Sequence, residues 1–149
     1  MAGDHNLLAA RRRKARHYAM QALYQWHMAD TAVNVIEAEF RSDYDFSNVD
    51  LEYFQALLHG IPAAVDDLDS TYESLLDRRL DELDPIERTL LRMGTWELKE
   101  RIDVPYRVVI NEAVALARKF GATDGHKYIN GVLDRLSRDL RSVEVSARN

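Results

Sequence analysis

The sequence predicts an all-α protein, and three observations carry that prediction. Apolar residues recur at three- and four-residue spacing almost throughout, no stretch alternates with period two, and only three prolines and six glycines interrupt 149 residues. The pattern predicts six or seven helices. A chain of this length is one domain with room for two small subdomains, burying roughly 68–70% of its unfolded surface without staples.

The first helix places Ala15, Tyr18, Ala19, Ala22, Leu23 and Trp26 on one face. A shorter one carries Val33, Ile36 and Phe40, and turn formers from Ser42 to Asn48 end it. Asp50 is placed to cap a third helix, whose stripe is Leu51, Phe54, Leu57, Leu58, Ile61, Val65, Leu68, Tyr72 and Leu75. Pro62 falls inside that stripe; it lacks an N–H and crowds the preceding turn, so a kink or break is expected there. The strongest start signal is Asp84-Pro85-Ile86-Glu87, with an N-cap aspartate, a proline at the first helical position and a glutamate two positions further on. That helix runs to about Glu100. Asp103-Val104-Pro105 opens the next, with Val109, Ala113, Leu116 and Phe120 inward and Gly121 suited to its C′ position. Thr123 or Asp124 then caps a last helix with Ile129, Val132, Leu133, Leu136 and Leu140 inward. Residues after Arg141 lose the period and are expected to fray.

Charge is distributed unevenly. Residues 1–29 hold five basic and one acidic side chain, residues 30–100 hold six and eighteen, and residues 101–149 hold nine and six, within a net charge of −5. A polyanion would meet both ends of the chain and be repelled by its middle. The run Arg11-Arg12-Arg13-Lys14-Ala15-Arg16 concentrates the N-terminal charge on a helix, where each cation can neutralise one phosphate. Two readings stand for the run: a grip on nucleic acid, or solubilising cations beside a core face. On the helical wheel Arg12 and Arg16 flank the apolar stripe, whereas Arg13, His17, Met20, Tyr24 and Met28 lie roughly opposite it. Apolar groups beside cations favour a contact surface, the alternative being a second layer of core. The last helix repeats the arrangement, with Lys127, Arg135 and Arg138 away from its stripe and Tyr128 at the margin. A base stacked on such a ring is worth about 1–3 kcal/mol.

Catalytic chemistry finds little support. The absence of cysteine excludes disulfides, thiolate nucleophiles and Cys-ligated zinc. The five histidines show no paired ligand spacing, Asp66-Asp67-Leu68-Asp69 lacks the glycine and distal glutamate of a calcium loop, and no phosphate-binding glycine motif occurs. No cofactor, metal or enzymatic activity is expected. The sequence contains no run long enough to span a membrane and no signal-peptide core, so a soluble cytoplasmic protein is expected. Asp77, Asp81, Glu82, Asp84 and Glu87 crowd the Asp-Pro helix start; by themselves they read as complements to the helix dipole.

The assembled blocks resemble the NusB family of bacterial transcription antitermination factors. They are Arg11-Arg12-Arg13-Lys14-Ala15-Arg16 with Ala22-Leu23-Tyr24-Gln25-Trp26, then Asp84-Pro85-Ile86-Glu87-Arg88 with Leu91-Arg92, then Asp103-Val104-Pro105-Tyr106 and Ile110-Asn111-Glu112-Ala113. Lys119-Phe120-Gly121 and the run from His126-Lys127-Tyr128 to Leu133-Asp134 complete the series, in order along nearly the whole chain. The resemblance implies a non-enzymatic fold of two small packed helical bundles, with subdomains of approximately 1–80 and 81–149. It also implies binding to the boxA element of ribosomal RNA leaders together with NusE, a small-subunit ribosomal protein, in a complex with NusA, NusG and RNA polymerase. By motif match, RNA contact falls on Arg11, Arg12, Arg13, Lys14, Arg16, Asp124, Lys127 and Tyr128, and partner contact on Tyr24, Asp81 and Glu87. Many family members carry phenylalanine where Tyr128 stands, which leaves stacking possible. Two alternatives accompany this reading: a helical protein-interaction scaffold, and the RNA-binding domain of a truncated ribosomal RNA methyltransferase.

Overall fold

The computed structural model describes residues 2–148, with side chains described from 6 to 147. Among the described residues the chain forms eight α-helices, one 3-10 turn at Leu80–Glu82 and no strand. The helices are α1 Ala2–Ala29, α2 Val33–Asp43, α3 Leu51–Ala63, α4 Val65–Glu73, α5 Pro85–Glu100, α6 Tyr106–Phe120, α7 Gly125–Leu140 and α8 Ser142–Arg148. They divide into two compact units, residues 1–63 and 64–149. The division lies at 63/64, away from the boundary near 80 that the sequence suggested. Its physical reason is that Pro62 ends α3 within one turn, and α4 then bonds to α5 through side chains described below.

In the first unit α1 packs on both α2 and α3. Asp50 caps α3 as expected: its Oδ1 accepts from the Tyr53 N–H at 3.0 Å. Its own N–H donates to the Arg11 carbonyl at 3.2 Å, fastening the start of α3 to α1. The loop that follows α2 is held by aromatic rings, with Tyr18 stacked on Phe46 (centroids 5.2 Å apart) and Phe46 edge-on to Phe54 at 5.0 Å. Met20 corrects the helical-wheel reading. It is fully buried rather than on an outer face, because α1 is covered from two sides and its buried arc extends from Ala15, Ala19 and Leu23 to Arg16 and Met20.

In the second unit α5 is the central helix, contacted by α4, α6 and α7, and Thr89 through Leu98 are all buried. Its start follows the sequence signal: Asp84 Oδ1 accepts from the N–H groups of Ile86 at 2.8 Å and Glu87 at 3.4 Å, with Pro85 in the first turn. Gly94 permits a close approach of α5 to α7, since a Cβ there would lie 2.7 Å from Leu133 Cδ1. Charged side chains enter this core, Asp69 and Arg92 among them. Asp69 of α4 accepts from Arg92 Nε and Nη2, each at 2.9 Å, from Arg88 Nη2 at 3.1 Å and from the Tyr72 hydroxyl at 2.7 Å. Burial alone would raise the Asp69 carboxyl pKa, but these hydrogen bonds and the Arg92 charge outweigh it and hold the carboxyl below its ordinary value. Burial and the same carboxylate push the Tyr72 phenol up.

The C-terminal segment also departs from expectation. Residues 142–148 form α8 instead of fraying, because Arg141 anchors them. Its fully buried guanidinium donates to the carbonyls of Leu98 at 2.8 Å, Val104 at 3.0 Å, Glu97 at 3.2 Å and Arg101 at 2.9 Å, closing the C-terminal end of α5. Glu144 accepts from Arg141 at 2.6 Å and from the Tyr106 N–H at 3.0 Å, so it serves as the missing side-chain cap of α6 behind Pro105. Gly121 ends α6 with extended backbone, not the left-handed turn its position suggested. Glycine suits it because a Cβ would lie 2.7 Å from the Ala117 carbonyl oxygen.

Candidate nucleic-acid interface

The five cations of the α1 run are not equivalent. Arg13 and Lys14 are exposed, Arg11 and Arg12 are half-buried, and Arg16 is buried at 4% exposure. The cause is helical geometry: positions 12 and 16 follow the apolar stripe, and α3 presents Tyr53 to them. Both guanidiniums lie over that ring, at 4.8 Å for Arg12 and 5.2 Å for Arg16, and Arg12 Nε lies 3.5 Å from Asp50 Oδ2. Arg16 therefore packs into the core of the first unit, and the exposed cations of the run are Arg13 and Lys14. Tyr24 is half-buried and Met28 exposed.

In the second unit the start of α7 carries the other predicted residues. Asp124 occupies the N-cap position without a capping side-chain bond; it is exposed and lies 3.6 Å from Lys127, itself exposed. Tyr128 is half-buried. One face of its ring is covered by Arg78, whose guanidinium carbon lies 4.3 Å from the ring centroid. Burial, with the Asp77 carboxylate near its hydroxyl, raises the Tyr128 pKa. Arg78 escaped the sequence reading, and Asp77 was read there only as a complement to the helix dipole, because both stand about fifty residues from Tyr128 in a segment with no helical period.

Glu87 differs most from its expected placement. Its residue is only 8% exposed, so it lies largely within the second unit. It makes no reciprocal capping bond; its Oε1 instead points to the start of α7, 3.1 Å from where a Cβ on Gly125 would sit. Burial chiefly, then the negative charges of Asp84 and Asp77, raise its pKa, with Arg78 acting in the opposite sense. Ionisation is thus disfavoured in the folded state. The group's contribution to stability is full below the ordinary value of 4.5 and is lost as pH rises through the raised one. Glu87→Gln is expected to raise the melting temperature at pH 7, with the gain vanishing below pH 4.5; thermal melts at the two pH values check this. Asp81, by contrast, is exposed and lies 3.2 Å from Arg79 Nε.

Comparison with known proteins places this arrangement. A model of the NusB family matches residues 13–138, which is most of the chain. The chain belongs to the NusB family. Its relatives include the transcription antitermination protein NusB of Pseudomonas putida strain W619, 58% identical over 139 residues that cover 93% of this chain and 84% of the relative. The protein of the same name from Hahella chejuensis is 53% identical over 137 residues, covering 92% of each. Among solved structures, NusB of T. maritima aligns with a TM-score of 0.73 at 26% identity, covering 85% of this chain and 90% of that one. The family assignment makes the function class that of a NusB transcription antitermination factor. None of the described helices is long and apolar enough to cross a membrane.

Proposed function

We propose that the protein acts in the cytoplasm by binding boxA RNA of nascent ribosomal RNA leaders together with NusE, joining NusA, NusG and RNA polymerase in an antitermination complex. The observation that carries the RNA reading is the basic–aromatic edge of α7, where exposed Lys127 adjoins the half-buried Tyr128 ring. A phosphate on the one and a base on the other is how single strands are held without sequence-specific hydrogen bonds. In the first unit Arg13 and Lys14, midway along α1, offer phosphate contacts of their own, with half-buried Arg11 and Arg12 beside them. Asp124, exposed beside Lys127, is the remaining expected RNA contact on this edge. For NusE, Tyr24 and Asp81 are the accessible members of the expected contact set, and Glu87 supports α7 from within.

The test is a fluorescence titration of boxA RNA at several salt concentrations, with NusE present. Four to six phosphate contacts give a slope of log affinity against log salt of about −3 to −4, at about −0.7 per phosphate. Tyr128→Ala should weaken binding about tenfold while leaving the slope unchanged, since stacking releases no counterions. A flat salt response, or equal affinity for a scrambled RNA, rejects specific recognition.

A further inference from the structure

We propose that Asp77 and Arg78 form a clasp over Tyr128, and that Asp77 sets how readily the ring accepts an RNA base. The inference rests on the RNA-binding reading above and adds a residue to it. Arg78 lies 4.3 Å from the Tyr128 centroid, well inside the range of a cation over a ring face. A base stacking on that face has to displace it. Arg78 does not rest there alone: its Nε donates to Asp77 Oδ1 at 2.7 Å and its Nη2 to Oδ2 at 3.3 Å, a two-point grip on one carboxylate.

The clasp is built to open. The Arg78 and Asp77 side chains are 39% and 68% exposed, so their attraction is screened by water and salt. Both stand between the end of α4 and the 3-10 turn, flanked by short-range backbone bonds at Leu75 and Leu76 before them and between Arg79 and Glu82 after them. The ring, by contrast, is more enclosed than its cover, since Tyr128 is half-buried and its hydroxyl is shut off from solvent. The lid therefore moves and the ring stays. Asp77 competes with RNA for Arg78, and the free protein keeps its stacking face covered until a phosphate-bearing strand draws the guanidinium away.

Asp77→Asn keeps the shape of the side chain and removes its charge. It should bind boxA RNA about two- to fivefold more tightly than the unaltered protein, the range corresponding to loss of one exposed pairing. Glu73→Gln, the same change of charge at the exposed end of α4, should give a smaller gain. The gain should vanish when Tyr128→Ala is combined with Asp77→Asn. Without RNA, Asp77→Asn should also shift the Tyr128 ring resonances in NMR spectra. Binding no tighter than that of Glu73→Gln, a gain that survives Tyr128→Ala, or unmoved ring resonances each overturn the clasp. Absence of RNA binding by the unaltered protein overturns the RNA reading and the clasp together; normal binding with an inert Asp77→Asn overturns the clasp alone.

Discussion

Arg141→Ala should destabilise the protein by about 3–5 kcal/mol, enough to unfold the second unit at moderate urea concentration. Acceptors would be orphaned. The guanidinium satisfies carbonyls of Glu97, Leu98, Arg101 and Val104, and removing it leaves those oxygens and the Glu144 carboxylate to find water in a buried place. Each unsatisfied buried polar group costs about 1–3 kcal/mol, less whatever relaxation recovers. Arg141→Lys should rescue little, since one ammonium cannot reproduce a planar fork that reaches four carbonyls. Urea denaturation followed by circular dichroism measures both variants, and a loss under 1 kcal/mol for the alanine variant would mean that water replaces the guanidinium.

Asp69→Ala should cost a comparable amount, about 3–5 kcal/mol, because it strands two guanidiniums and a phenol around one vacated position. Asp69→Asn separates charge from shape and should remain strongly destabilising. The pH dependence follows from the depressed carboxyl. Its stabilisation is complete above the ordinary aspartate value of 3.8 and disappears as pH falls through the lower folded-state value. The gap in stability between the unaltered protein and Asp69→Asn should therefore narrow in strong acid. Asp69→Leu combined with Arg92→Met should lose less than the two single changes summed, since the partners depend on each other.

These two positions also show where sequence reasoning ended. Apolar periodicity reports which helix faces are buried, and Asp84, Pro85, Asp50 and Pro62 report local backbone chemistry; the all-helical fold and most helix bounds were legible for that reason. Arg141 was not, because its bonds reach 37 to 44 residues back along the chain and leave no periodic trace. Met20 was misplaced on a wheel that assumes one covered face, whereas α1 is covered by two helices. At the candidate interface, Lys127 and Tyr128 could be picked out by type and spacing. The shielding of Tyr128 by Arg78 and the inward turn of Glu87 depend on how α7 meets the segment before α5, which no local pattern encodes.

The Arg141 bonds impose an order on synthesis. Everything that caps α3 lies within residues 1–63, so the first unit has all its parts early. The carbonyl end of α5 waits for a side chain at position 141, which a ribosome adding about 5–20 residues per second delivers some 2–9 s later. During that interval α5, α6 and most of α7 exist with their polar ends open to water and their apolar faces only partly matched. The final residues thus act as a latch on a late-closing unit, and that interval is when the nascent chain is most exposed to proteases and to chaperones.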